Sequence, residues 1–240
     1  ALAFATKTPL VGVNHIEGHL YANFLDGREV TPPLVCLTVS GGHTDLLLIP
    51  RLGEYEILGR TRDDAAGEAF DKVARVLGLS YPGGPQIEQL AQGGNPEAIS
   101  FPRSLLEKDN WDFSFSGLKT AALNYLNEAK QKGKEVPLAD FAASFQWAII
   151  DVLTQKLLAA AEQHQVDKVV LSGGVAANKT FRGHVQVKAE QMGLELLYPP
   201  VHLCTDNAAM VGSAGYFRYL AGYRSDYSLN AVSNLRLGDE

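Results

Sequence analysis

His15 and His19, in the stretch VNHIEGHLYANF (residues 13–24), stand four apart. On a helix that spacing puts both imidazoles on one face, close enough to share a metal ion. Glu17 between them invites comparison with the zinc-protease motif H-E-x-x-H, where a general base directly follows the first His. Here the order is His15-Ile16-Glu17-Gly18-His19. Two residues of helix turn a side chain through roughly 200°, so Glu17 is expected to point away from anything the pair holds, which disfavours a protease. Gly18 weakens the helix locally and lets another backbone or ligand approach. Two imidazoles still need a third ligand. Asp206, in HLCTDNAAM (202–210), precedes a helical pattern; N-capping is its ordinary role and metal ligation the alternative.

A second kind of chemistry is written in glycine. VSGGHT (39–44) and LSGGVAAN (171–178) each follow an apolar run. Glycines there let backbone N–H groups approach an anionic or planar ligand without hindrance from Cβ. The second turn opens a helix, whose N-terminus favours phosphate. Neither turn matches the P-loop or the dinucleotide fingerprint. Each alone is an ordinary structural turn; two on one α/β core point to a nucleotide cleft. Asp71 and Lys72 in GEAFDKVAR, and the turn YPGG (81–84), are readable either as plain surface features or as part of that cleft.

The elements that must position these residues follow from the pattern. PLVGVNHIEGHLYANFL (9–25) reads as a short strand leading into a helix, and VTPP (30–33) breaks it. LVCLTVS and TDLLLIP are apolar strands joined by a glycine turn, a hairpin, and YEILGRT is a third strand. RDDAAGEAFDKVARVLGL begins with acidic residues suited to a helix start and ends at Gly78. A Gly- and Pro-rich stretch with a short helix follows, and then a mixed region to about 136 whose most structured part is WDFSFSGLKTAALNYL. A long helix begins at LADF, with an apolar face at Phe141, Phe145, Ile149 and Val152, before a final strand–helix–strand–helix. This order predicts an α/β fold with a mixed sheet.

Composition narrows the function classes. Of 240 residues, 46% are hydrophobic and 20% charged, an ordinary globular balance. The apolar runs, such as LLLI (46–49), are too short to span a bilayer, and the N-terminus has no signal-peptide pattern. The absence of an initiator Met suggests a processed or trimmed chain. Cys36 and Cys204 make no disulfide framework, Cys36 reads as a buried small hydrophobe, and a reducing cytoplasm fits best. With 21 basic against 27 acidic residues, net charge −6, the chain is no strongly basic nucleic-acid binder, although local patches are compatible.

Seven motifs then fall in a particular order: NHIEGH, VSGGHTDLL, GEAFDKVARVLGL, YPGGPQIE, FSFSGLKTA, LSGGVAAN and CTDNAAM. In that order they resemble the tRNA threonylcarbamoyladenosine biosynthesis transferases of the TsaD type, formerly misnamed O-sialoglycoprotein endopeptidases, with the bacterial branch matched by DFSFSGLKTA. The resemblance runs over nearly all of the chain. It implies the actin-like ATPase (ASKHA) fold, two α/β lobes with the ligand between them. Residues 1–31 would then be a remnant of the first lobe (a strand plus the metal-binding helix). Residues 32–240 would be the complete second lobe, with a helical insertion at about 81–136. An acidic ETSCDET-like phosphate motif that precedes this region in the family is absent from the given chain, so a lack of the N-terminal part is expected, with doubtful activity alone and exposed apolar surface where the lobe would sit.

The same resemblance implies that His15, His19 and Asp206 ligate one iron or zinc ion, a donor set that suits either metal. It implies that Thr38, Val39, Ser40, Gly41, Gly42, Asp71, Gly84 and Asn178 bind threonylcarbamoyl-AMP or an adenine nucleotide, Asp71 accepting from ribose hydroxyls. The implied reaction moves the threonylcarbamoyl group to the exocyclic amine of the adenosine next to the anticodon in tRNAs reading ANN codons, releasing AMP, with no side chain as covalent nucleophile. Implied partners are tRNA, TsaB-like and TsaE-like proteins, a TsaC-type enzyme that makes the intermediate, and a homo- or heterodimeric arrangement. Lys119, Lys179, Arg182 and Arg75 are candidates for phosphate contacts or equally for solvated surface. The competing functions are an ASKHA small-molecule phosphotransferase, which leaves the two His and the Asp unexplained, and an inactive scaffold, against which the three retained ligands count.

Overall fold

The computed structural model describes residues 1–107, 109–233, 235 and 237. At its centre is β1 (Leu34–Val39), all six residues of which are buried, as expected of a strand covered on both faces. It pairs antiparallel with β2 (Thr44–Arg51) and parallel with β4 (Lys168–Ser172). β3 (Glu54–Arg60) extends the sheet beyond β2, and β5 (Glu195–Leu197) extends it beyond β4. The sheet is therefore mixed.

Alternation along the strands divides the core in two. Val35, Leu37, Val39, Leu46, Val169 and Leu171 face the larger core, built with α3 (Ala66–Val76), α4 (Gly83–Leu90), α5 (Ser116–Gln131), α6 (Leu138–Gln163) and α7 (Lys179–Gln191). Leu34, Cys36, Leu47, Ile49 and Val170 face the opposite way, onto α2 (His15–Tyr21) and α8 (Ala208–Leu220). The short α1 (Leu2–Thr6) has no buried residue. Of the helical insertion expected at 81–136, α4 and α5 are the helices. Phe141, Phe145, Ile149 and Val152 are buried on α6, as its periodicity requires.

The strand expected ahead of α2 does not form. Leu10 makes one isolated antiparallel bridge to Ser225, and the Gly12 N–H donates to Ser225 Oγ at 2.9 Å. Among the described residues, 9–13 therefore have no partner strand; Leu10 and Gly12 are tied to Ser225 and Val13 packs on the core, and Pro9 removes one donor. Among the described residues no helix is long and apolar enough to cross a membrane.

Candidate functional site

The two glycine turns lie side by side because their strands do. Thr38 on β1 is in register with Ser172 on β4, and their hydroxyls stand 2.8 Å apart. Gly173, at φ +84°, packs directly on the backbone of Val39; a Cβ there would lie 2.7 Å from the Val39 carbonyl carbon. Only glycine suits that conformation and that approach. In the other turn Ser40 N–H donates to the His43 carbonyl at 2.8 Å, and the His43 N–H donates to Ser40 Oγ at 3.2 Å. Gly67 of α3 sits against Ser40 and Gly41, which presses the start of α3 onto the turn.

A cavity of about 530 Å³ opens beside these turns. Gly41, Asp71, Gly84 and Asn178 all line it, together with Tyr81 of the YPGG turn and Thr205, to neither of which the sequence reading gives a role of its own. Asp71 accepts from the Gly83 N–H through Oδ1 at 2.7 Å, which ties α3 to the start of α4. Of the remaining expected contacts, Thr38 and Val39 are fully buried in β1, and Gly42 lines a smaller hollow beside His43 instead. Asn178 is the N-cap of α7: its Oδ1 accepts from Phe181 N–H at 2.8 Å, and its amide donates to Gln146 at 2.8 Å.

The start of α7 is not open to phosphate. Glu88 of α4 reaches across and accepts from the Lys179 N–H at 2.6 Å and the Thr180 N–H at 3.3 Å. A carboxylate from the protein thus takes the position that the helix dipole offers to an anion. Glu88 stands four residues after Gly84 in YPGGPQIE, and nothing in that stretch points to α7 as its partner. Lys119 is held by Asp64 at 2.6 Å, and Arg182 lies over the Tyr198 ring while donating to the Pro199 carbonyl at 2.9 Å. Both are half-buried and engaged with the protein itself. Arg75 and Lys179 are exposed.

Next to the cavity the structure brings His15, His19 and Asp206 together, with one ligand atom from each lying within 4.8 Å of the others. His15 Nε2 is 3.4 Å and His19 Nε2 3.2 Å from Asp206 Oδ1. The His spacing works because Asn14 caps α2 through Ile16 N–H at 2.9 Å, so that the helix begins at His15. Asp206 comes from the turn before α8, where Asn207, not Asp206, is the cap and accepts from Met210 N–H at 2.9 Å. That leaves the Asp206 carboxylate for other work.

The donor set suits a metal. His19 is 1% exposed, yet neither ring nitrogen has a hydrogen-bond partner among the described residues, the Asp206 contact being close but poorly aligned. Buried polar atoms without partners are rare. Burial pushes the His19 pKa down to about 4, with His15 adding to the effect and Asp206 opposing it. The ring is therefore neutral near pH 7, the form that ligates metal. His43, from the glycine turn, brings a third imidazole to 6.1 Å from the His15 ring. Burial lowers its pKa against the pull of Asp45. Glu17 faces the other way, as its spacing predicts, and is bound by Tyr55 and Arg218.

The chain is thus an α/β protein in which a cavity lined by residues of both glycine turns adjoins a cluster of two His and one Asp. The backbone matches two solved HypF structures. One is full-length HypF in its phosphate- and nucleotide-bound form: TM-score 0.67, 14% identity, 88% of this chain and 36% of that one. The other is T. kodakarensis HypF: TM-score 0.66, 16% identity, 92% and 38%. At that identity the likeness concerns the fold, which is of the actin-like ATPase type.

Sequence comparison is more specific. The TsaD model, described as tRNA N6-adenosine threonylcarbamoyltransferase, matches residues 1–213. A protein of that name from Clostridium botulinum (strain 657 / Type Ba4) is 55% identical over 238 residues, covering 99% of this chain and 70% of its own length. Another, from Clostridium perfringens (strain SM101 / Type A), is 53% identical with the same coverage. The chain belongs to the TsaD family of tRNA N6-adenosine threonylcarbamoyltransferases.

Proposed function

We propose that this chain transfers the threonylcarbamoyl group from L-threonylcarbamoyl-AMP to the exocyclic amine of the adenosine beside the anticodon of tRNAs reading ANN codons. The observation that carries the proposal is the adjacency of the two half-sites. Thr205 lines the cavity while its neighbour Asp206 joins the His cluster. A ligand seated by its adenylate in the cavity would have its acyl group close to His15, His19 and Asp206.

In this reading Asp71 is held by Gly83 through one oxygen and offers the other to ribose hydroxyls. Gly41 and Gly84 give the nucleotide backbone walls without side chains, and Asn178 holds α7 in place under it. His15, His19 and Asp206 would hold one iron or zinc ion, which supplies Lewis acidity and orientation at the acyl carbon. Transfer forms the N–C bond from adenosine to the carbamoyl carbon, breaks the mixed-anhydride C–O bond, and releases AMP with loss of one amine proton. No nucleophilic side chain is required. The metal-bearing helix belongs to the first lobe (1–31) and the rest to the second (32–240). TsaB-like and TsaE-like proteins are the proposed partners in tRNA binding, with a TsaC-type enzyme supplying the intermediate.

The test is transfer itself. The chain, with the partner proteins, threonylcarbamoyl-AMP and a tRNA reading ANN codons, is expected to yield the modified nucleoside by mass spectrometry, and Asp206→Ala to abolish it. Equal yield from Asp206→Ala, or none from the wild-type chain with every component present, overturns the proposal.

A further inference from the structure

Between the two imidazoles of α2 lies a carboxylate that points the other way. Glu17 is 1% exposed; its Oε1 accepts from Tyr55 Oη at 2.7 Å and its Oε2 from Arg218 Nη1 at 3.1 Å. Tyr55 belongs to β3 and Arg218 to α8. One side chain thus ties the histidine-bearing helix to the sheet edge and to the helix that follows Asp206. Arg218 is itself seated over the Tyr223 ring, 4.7 Å from its centroid.

We propose that Glu17, Tyr55 and Arg218 form a positioning device that sets the rotation of α2 and so holds His15 and His19 toward Asp206. The proposal rests on the reading that these three residues share a metal.

Three observations carry it. First, α2 has only seven residues. Two turns of helix have little stability or stiffness of their own, so its orientation comes from what it touches. Second, Ile16, Leu20 and Tyr21 bury the helix through apolar contacts, which are non-directional, and Gly18 has no side chain to interlock with its neighbour. Gly18 faces Met210, and a Cβ at Gly18 would meet the flexible Met210 side chain at an ordinary 3.6 Å. Third, Glu17 is two residues from each histidine, roughly 200° away round the helix in both directions. An anchor on the face opposite the ligands resists rotation about the helix axis.

The leverage is large. A His nitrogen lies roughly 5–6 Å from the axis of its helix. Metal–ligand distances hold to about 0.2 Å. A rotation of roughly two degrees already uses up that tolerance, and two directional hydrogen bonds to separate elements add to the restraint that the packing of Ile16, Leu20 and Tyr21 supplies.

A buried ion pair is a poor stabiliser compared with well-packed apolar groups, which allows stability and positioning to be separated. The experiment is Co²⁺ titration of the whole chain, following the d–d absorption, alongside thermal melts of the metal-free protein. Wild type is expected to bind one Co²⁺ and Asp206→Ala to lose it. Glu17→Met is expected to bind roughly 10–100-fold more weakly with an altered spectrum, the range seen for outer-shell partners of metal ligands. Tyr55→Phe and Arg218→Lys, which keep part of the network, are expected to lose less, and they serve if Glu17→Met does not fold.

The double variant Glu17→Met/Arg218→Met is the decisive arm. It removes both charges, so its melting temperature is expected to recover toward wild type while Co²⁺ affinity stays low. Wild-type-like affinity in the single variants, or affinity that recovers together with stability in the double variant, overturns the positioning role. Absence of Co²⁺ binding by the wild type overturns the metal assignment, and the positioning role with it.

Discussion

Gly67→Ala should couple stability to nucleotide binding. Gly67 is buried in the first turn of α3, directly beneath the Ser40–Gly41 turn. A Cβ there would stand 2.7 Å from the Ser40 carbonyl carbon and 2.9 Å from Gly41 Cα, and closer still to the Ser40 oxygen. All three atoms are backbone, so no rotamer change relieves the clash, and helix and turn must part by roughly 0.5–1 Å in a close-packed interior. Two effects compete. Alanine is better than glycine inside a helix by about 1 kcal/mol, whereas forced repacking costs about 1–3 kcal/mol. With three backbone atoms in the way the cost falls at the upper end of that range, so the clash wins, with a net loss of about 2 kcal/mol and a midpoint lowered by roughly 4–8 °C. The same displacement moves Gly41, a wall of the cavity, and strains the 3.0 Å bond from Ala66 N–H to Thr44 Oγ1. Thermal melts and calorimetric AMP binding should both show losses. Gly84→Ala is the contrast. A Cβ at Gly84 meets nothing within 4 Å, but Gly84 lines the cavity. That variant should keep its midpoint and still bind AMP more weakly. Unchanged melting and unchanged AMP affinity in Gly67→Ala would refute the geometry.

Asn178→Ala removes the cap of α7 and leaves Gln146 without its donor, so a loss of about 2–3 kcal/mol is expected in denaturant unfolding; Asn178→Asp, which keeps the cap acceptor, should lose about half as much, and equal losses would count against the capping role. Lys156 is 3% exposed, donates to the carbonyls of Leu105 and Asn110, and burial pushes its pKa down to about 8. Between that value and the ordinary 10.5 the unfolded chain holds a proton that the folded chain has released, so unfolding stability rises with pH across this window. Wild type should therefore gain roughly 2 kcal/mol relative to Lys156→Met between pH 8 and 10, and parallel pH–stability curves would contradict the assignment.

The parts of this architecture that rest on local pattern are legible in the order of the amino acids. The four-residue spacing of His15 and His19, the outward turn of Glu17, the β1–β2 hairpin and the apolar face of α6 each depend on a few neighbouring residues. What is not legible there is long-range or chemically degenerate. β1 pairs in parallel with β4 across more than a hundred intervening residues, and no local pattern names that partner. Asp206 stands beside His15 and His19, but from sequence an Asp before a helix is by default a cap, and only the family resemblance favours ligation over capping; Asn207 takes the cap role instead. A Thr or Asn has the same donors and acceptors whether it meets a ligand or the protein, so sequence does not reveal that Thr38 faces Ser172 or that Asn178 caps α7. The closure of the α7 N-terminus by Glu88 escapes sequence reasoning for a similar reason: its carboxylate arrives from another helix.

Metal stoichiometry tests the central claim most directly. Elemental analysis of the purified chain, prepared beside His15→Ala, Asp206→Ala and Gly84→Ala, should find one iron or zinc per wild-type chain, retained in Gly84→Ala and lost in both ligand variants. A full complement of metal in Asp206→Ala, or none in the wild type after loading with either ion, would contradict a shared site at His15, His19 and Asp206.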